Sequence, residues 1–428
     1  MKRRNFFYSL FGGLAAGSYL TTAKSSPIIE SLTQNLPNLN KAGTGENYWN
    51  LVRKWFPLRE KKTYFNTGGL GPSNYAVLET FFQETMRLET IGEHDHRRVY
   101  EVTQKAANFL GANPDEIGLT RNTTEGMNII ARGLPLKQGD EILMSTHEHV
   151  GGTIPWLALS NDIGVKINLF EPAPTAAENL NIIESKFTPK TKVLSLSHVT
   201  CTCGLKFPVK EIAQLCRDRQ IIFVLDGAHP PGMFRINLHE IGCDLYATSG
   251  HKWLMGPKGT GILYVSQRMM DIWKPTYVGA YSEDGSYDLN AKHLVIKKKA
   301  NSVEYGTRNT PLYLALGAAM DFVNSIGQER IAQRGLSMSD YFRTKLMNEL
   351  PEVEILTPSE KDLYCSIITF RSHKMDAIDL QRAISRKHYT RVRNVSENGL
   401  NAVRCSFHVY NNFQEIDQMI EIMKDILR

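Results

Sequence analysis

The segment Ala247-Thr248-Ser249-Gly250-His251-Lys252-Trp253 sets a lysine among small and hydrogen-bonding residues, just after Asp244-Leu245-Tyr246 at the end of a buried-strand pattern. Taken alone, such a lysine is a loop residue as readily as a nucleophile. Val224-Leu225-Asp226-Gly227-Ala228-His229 ends a nearly pure apolar run on a carboxylate, where an unpaired charge is costly. Asp suits a helix N-cap. Otherwise it needs a cation, and a protonated pyridine nitrogen would be one, the pairing turning that ring into an electron sink. Arg121-Asn122-Thr123-Thr124-Glu125-Gly126 offers hydroxyls and free N–H groups at a helix start, which is a capping signal or an anion site fit for phosphate. Ser145-Thr146-His147-Glu148-His149 follows another strand pattern; its His-x-His could ligate zinc, but no third ligand is spaced nearby, so no metal is expected.

These pieces need a scaffold, and 428 residues can bury a large core with chain left for a second domain. The 42% hydrophobic and 22% charged content is that of a globular protein. A net charge of +6 without a concentrated basic stripe argues against nucleic acid, and Lys297 to Lys299 read as a solvated face. Short apolar runs such as Glu141 to Met144, Lys192 to Leu196, Ile221 to Leu225 and Gly261 to Val265 alternate with helical patterns. That alternation predicts an α/β domain with a mostly parallel sheet and a site at the carboxyl ends of its strands. After Asn301 come helical stretches over Leu312 to Ile326 and Arg330 to Leu350, a strand over Cys365 to Phe370 and a closing helix from Glu415 to Leu427. The division expected is 1–25 an export signal, 26–63 an N-terminal segment, 64–300 the large domain and 301–428 a smaller α+β domain.

Lys2-Arg3-Arg4 followed by Phe6, Phe7 and an apolar run through Leu20 reads as an export signal, too short for a comfortable membrane span. The arginine pair looks like the twin-arginine type, which would place the protein in a bacterial periplasm. The six cysteines are not spaced as a disulfide framework, and Cys201 and Cys203 would lie about 7 Å apart in extended chain.

In order and spacing, from Tyr64 to the C-terminus, these blocks resemble the class V aminotransferases of pyridoxal-phosphate fold type I, in the isopenicillin N epimerase-like and cysteine desulfurase-like branch. The resemblance implies an α/β large domain with a mostly parallel seven-stranded sheet, and pyridoxal 5'-phosphate held as a Schiff base by Lys252. It implies that Thr123, Thr124, Ser249 and His251 bind the phosphate, that His149 stacks on the ring, that Asp226 pairs with the pyridine nitrogen and that His229 lies beside the phenolic oxygen. Lys252, His149 and Asp226 are then the catalytic set. Glu304-Tyr305-Gly306-Thr307 resembles a segment that reaches the neighbouring subunit's phosphate, which implies a homodimer. Val403-Arg404-Cys405-Ser406-Phe407 resembles the family's arginine block, so Arg404, with Asn66, would hold a substrate carboxylate.

Desulfurases of the family carry a nucleophilic thiol shortly before that block, yet Thr390 to Glu397 contain no cysteine. Cys405, adjoining Arg404 in a strand, should face the opposite way. Asp226-Gly227-Ala228-His229 resembles instead the epimerase-like branch, though Cys201 and Cys203 stand where its members carry Ser and Thr. Arg393 is a second anion clamp or a surface charge. The expected activity is transamination or epimerisation of an amino-bearing metabolite or peptide, with tailoring of a secondary metabolite such as a siderophore as one setting. The alternatives are a C–S or C–Se lyase that works without a cysteine, and an inactive cofactor-binding sensor or scaffold.

Overall fold

The computed structural model describes residue 39, residues 45–59 and residues 62–428. The expected export signal lies outside the described residues. In chain order the first strands are β1 (Ile117–Thr120), β2 (Glu141–Ser145), β3 (Lys166–Phe170), β4 (Thr191–Ser197), β5 (Ile222–Asp226), β6 (Leu245–Ser249) and β7 (Gly261–Val265). They form one sheet in the order β1-β7-β6-β5-β4-β2-β3. Strands β2 to β6 pair in parallel and β7 runs antiparallel to both of its neighbours, so the expected mostly parallel seven-stranded sheet is present.

Alternate residues of each strand serve opposite faces of the sheet, which is why the runs are apolar throughout. Leu194, Leu225 and Tyr246 join one buried cluster, while Val193, Val224 and Leu245 join the other. Helices α1 (Glu46–Arg53), α2 (Tyr75–Ile91) and α3 (Arg97–Leu110) precede the sheet in the chain, and Val52, Val77 and Val102 enter the first cluster. On the second face lie α4 (Thr123–Gly133) and α5 (Val150–Ile163), which supply Met127, Ile130 and Trp156. Further along come α6 (Ala176–Lys186), α7 (Val209–Asp218) and the single turn α8 (Leu238–Ile241).

The hairpin β8 (Glu283–Asp288) and β9 (His293–Ile296), which the sequence pattern did not indicate, leaves the sheet largely exposed. Helix α9 (Thr310–Ile326) follows residue 301, yet its Leu316, Ala319 and Val323 are buried in the large domain's first cluster. The separate small core begins with α10 (Gln328–Glu349), which contributes Met338 and Phe342. Its antiparallel sheet runs β10-β11-β13-β12, with β10 (Val353–Ile355), β11 (Ile367–Ser372), β12 (Arg393–Val395) and β13 (Ala402–Ser406). Helices α11 (Ala377–His388) and α12 (Phe413–Leu427) close that core with Leu380 and Ile420. Among the described residues no helix is long and apolar enough to cross a membrane.

Candidate active site

Strands β4, β5 and β6 end together: Ser197 is registered with Asp226, and Asp226 with Ala247. Three residues beyond the end of β6 the chain reaches Lys252, whose loop is pressed against the glycine-rich segment before α2. The Gly71 N–H donates to the His251 carbonyl at 2.7 Å, and a Cβ at Gly71 would stand 1.9 Å from the Lys252 carbonyl oxygen. No side chain fits at 71 without moving the lysine.

Burial pulls the Lys252 amine down to about 8, opposed by the nearby Asp226 charge. The amine is therefore largely protonated at neutral pH but exchanges to the nucleophilic form easily. Asp226 is buried and accepts from the Ala228 N–H at 2.9 Å. Burial raises its carboxyl, and the Lys252 charge opposes that rise. A Cβ on Gly152 would lie 3.0 Å from Asp226 Oδ2, so the start of α5 leaves this oxygen clear. Glu148 is held by Ser197 Oγ, which donates at 2.7 Å, and burial pushes its carboxyl up to about 7.

Three neutral imidazoles surround the amine. His149 caps α5, its Nδ1 accepting from the Gly151 N–H at 3.0 Å, and burial aided by Lys252 pulls it down to about 4. His229 Nδ1 accepts from the Trp253 indole N–H at 3.0 Å, and burial lowers this histidine too. Its proton is thereby fixed on Nε2, which is buried with no partner among the described residues. His251, lowered by burial to about 4, has a buried Nδ1 that also lacks a partner among those residues. A buried polar atom left so is expensive unless something else meets it.

At the head of α4, Asn122 Oδ1 accepts from the Glu125 N–H at 2.9 Å and starts the helix. The Thr123 and Ser249 hydroxyls lie 2.6 Å apart, so two of the expected phosphate binders meet although 126 positions separate them. Thr124 faces the start of α5: a Cβ on Gly151 would stand 2.4 Å from its Oγ1 and 3.1 Å from His149 Nδ1.

Opposite these groups stands the small domain's arginine. Arg404 on β13 is 1% exposed, so it is not the surface residue that a strand end might carry. Its Nη1 donates to the Cys201 carbonyl at 2.7 Å and its Nη2 to Asn66 Oδ1 at 3.4 Å, while Nε is buried without a partner among the described residues. Burial lowers it to about 10. Asn66 is placed by a parallel bridge to Ser406. Cys405 turns to the other side, into the small core, as strand alternation requires. Thr307 is exposed, after the short turn Ala300–Val303, and is not among the groups that meet around Lys252.

Sequence reasoning missed Trp253 as the residue that orients His229; only its place beside the lysine could have flagged it. It also missed what His147 does. This ring lies 2.7 Å from Thr202 Oγ1, 3.0 Å from Glu171 Oε1 and 3.7 Å from Cys203 Sγ. Those contacts occupy the first imidazole of the His-x-His. All six cysteines are free and buried.

The donor set fits a planar, anionic, nitrogen-containing aldehyde such as pyridoxal phosphate. A neutral-capable amine, a buried carboxylate with a clear oxygen, an unpartnered N–H on His229 and a hydroxyl pair at a helix head are all present.

The family model described as Aminotransferase class-V matches residues 83–419. A probable cysteine desulfurase of Pyrococcus abyssi is 26% identical over 399 residues, which is 88% of this chain and 97% of that protein. Isopenicillin N epimerase of Streptomyces clavuligerus is 28% identical over 388 residues, again 88% and 97%. Among solved structures, an apo cysteine desulfurase from Thermococcus onnurineus NA1 superposes with a TM-score of 0.79 at 27% identity, covering 88% of this chain and 97% of that one. The cystine C–S lyase C-DES, in complex with its product cysteine persulfide, gives 0.79 at 26% identity over 86% and 99%. A lysine-to-alanine variant of C-DES, with glycine covalently linked to its pyridoxal-phosphate cofactor, gives 0.80 at 25% over 87% and 99%. The chain belongs to the class V aminotransferase family.

Proposed function

We propose that the chain is a pyridoxal-phosphate-dependent enzyme that transaminates or epimerises an amino acid or an amino-containing metabolite or peptide. The observation that carries this reading is the meeting of the Lys252 loop, held by the Gly71 N–H on the His251 carbonyl, with the buried Asp226 at the carboxyl ends of β4, β5 and β6. Lys252 would hold the cofactor, Asp226 its ring nitrogen, His229 Nε2 its phenolic oxygen, and Thr123, Thr124, Ser249 and His251 its phosphate. When bound, the cofactor supplies an electron sink that stabilises negative charge on the substrate carbon next to nitrogen. Lys252, once released, takes or returns the proton at that carbon. His149 covers one side of the ring. Arg404 and Asn66 orient the substrate carboxylate, so that only one carbon faces the lysine.

Incubation of the loaded protein with single amino acids tests this reading. Keto-acid formation marks transamination, loss of optical purity marks epimerisation, and neither product from any amino acid or amino-terminal peptide counts against both.

A second reading, a C–S lyase, is favoured by the likeness to C-DES and by residues 390–401, which lack a cysteine. Release of pyruvate from cystine by the loaded protein would select it.

The homodimer is part of the proposal. Thr307 is exposed beside Tyr305, with Tyr277 and Tyr287 also outward, and it would reach the partner subunit's phosphate site. Export through the N-terminal arginine pair to the periplasm is proposed on the sequence alone, with siderophore tailoring as one setting. Replacing Arg3-Arg4 by Lys-Lys should retain the protein in the cytoplasm, and unimpaired export would overturn the twin-arginine assignment.

A further inference from the structure

Arg393 and Arg404 are direct partners across β12 and β13. Residues so paired project on the same face of a sheet, and like charges placed opposite one another repel. Both guanidinium groups turn to one acceptor: the Cys201 carbonyl takes Arg404 Nη1 at 2.7 Å and Arg393 Nη1 at 3.4 Å. Among the described residues a single carboxylate answers the two cations. It is Glu397, ion-paired with Arg393 and tied to its own turn by the Ser396 N–H at 3.1 Å. Arg404 has no carboxylate at ion-pair distance among those residues, although it is buried and its Nε lacks a partner.

One substrate carboxylate on Arg404 leaves Arg393 facing the same space with only a neighbouring, displaceable Glu397. Two arginines that reach the same oxygen are spaced to take two carboxylates a few bonds apart. We infer that Arg393 is a second anion-binding arm and that the substrate class is an α-amino acid bearing a side-chain carboxylate, of aspartate or glutamate size. The inference rests on Arg404 as holder of the α-carboxylate. Burial is the main cause of the lowered Lys252 amine, and Arg404 and Arg393 both add to it, which places the two arginines in the field of that amine. Glu397 then acts as a stand-in anion that the second carboxylate displaces.

The test uses pairs of amino acids that differ in charge but hardly in shape. The pyridoxal-phosphate-loaded protein is titrated with L-glutamate against L-glutamine and with L-aspartate against L-asparagine, and binding is read from the visible absorption of the cofactor. The acidic member should bind at least about tenfold more tightly, with a preference that weakens as salt is added. Arg393→Gln should collapse the acid-to-amide ratio toward one. Glu397→Gln, which frees Arg393, should raise it, and this second variant keeps the test alive if the first fails to load cofactor. Equal binding of acids and amides by the unaltered protein overturns the inference while leaving the proposed reaction class intact. A ratio unmoved by either substitution overturns it as well. Absence of a spectral response to any of the four amino acids overturns it together with the role of Arg404 beneath it.

Discussion

The indole N–H of Trp253 donates to Nδ1 of His229 at 3.0 Å, and this one bond decides where the imidazole carries its proton. The residue next to Lys252 thus sets the donor that, in the proposed reading, would face the cofactor's phenolic oxygen. Trp253 is fully buried, and its own carbonyl accepts from His408 Nε2 at 2.8 Å. The lysine loop, the β5 loop and the small domain are joined through it.

Trp253→Phe removes that donor and keeps an aromatic ring. His229 is then free to place its proton on either nitrogen, and the bound cofactor should dissociate about tenfold faster with a shifted visible band, the scale seen when an outer hydrogen bond is lost. A stability loss of about 1–3 kcal/mol from the smaller ring should accompany it and is separable by thermal melting. An unchanged band and off-rate would show that the tautomer does not matter.

Capture of free cofactor by apo-protein should follow the neutral form of Lys252. With the amine at about 8, the observed rate rises as pH increases, by about tenfold between pH 7 and pH 9, and then levels off. Stopped-flow absorbance over that range checks it. A rate independent of pH would mean that the lysine is neutral throughout.

Arg404→Leu should weaken the binding of L-alanine to the loaded protein on the order of 100-fold, because a bidentate charged contact is lost. Arg404→Lys should recover only part of this, since an ammonium cannot fork. Titration of the cofactor absorbance measures both. Equal affinity in all three proteins would remove Arg404 from the substrate site.

Stability should fall on the acid side. Burial lowers His198 to about 3 and His408 to about 4, both below the usual 6.5. A depressed folded value means that their contribution is complete above about 6.5 and is lost as pH drops toward 4, where only the unfolded chain binds the proton. Glu148 acts in the opposite sense, being raised to about 7, and recovers some stability over the same interval. His149, His229 and His251, lowered in the same way, add to the loss, while the raised Asp226 joins Glu148 in opposing it; with five lowered imidazoles against these two carboxyls, the melting temperature should decline from pH 6.5 to pH 4. A flat profile would contradict the burial of these rings in solution.

Much of this was legible in the chain because near-continuous apolar strands, capping residues and short motifs are local signals. Asp226 at the end of Ile222–Asp226, and Ser249 at the end of Leu245–Ser249, follow from reading where the apolar runs stop. The opposite facing of Arg404 and Cys405 follows from strand alternation. Long-range relationships left no such trace. That the Cys201 carbonyl collects two arginines, or that His147 is consumed by Thr202, Cys203 and Glu171, depends on how distant loops meet. Helix α9 likewise carries a periodicity that fits either core; only its contacts with the large domain assign it.

The most direct measurement is covalent. Protein supplied with pyridoxal phosphate is reduced with borohydride, digested and examined by mass spectrometry. The expected result is a visible absorption lost on reduction and a reduced cofactor adduct on the peptide carrying Lys252, absent in Lys252→Ala. A protein that stays colourless with added cofactor, or an adduct on another lysine with Lys252 unmodified, would contradict the assignment of Lys252 as the cofactor-binding residue.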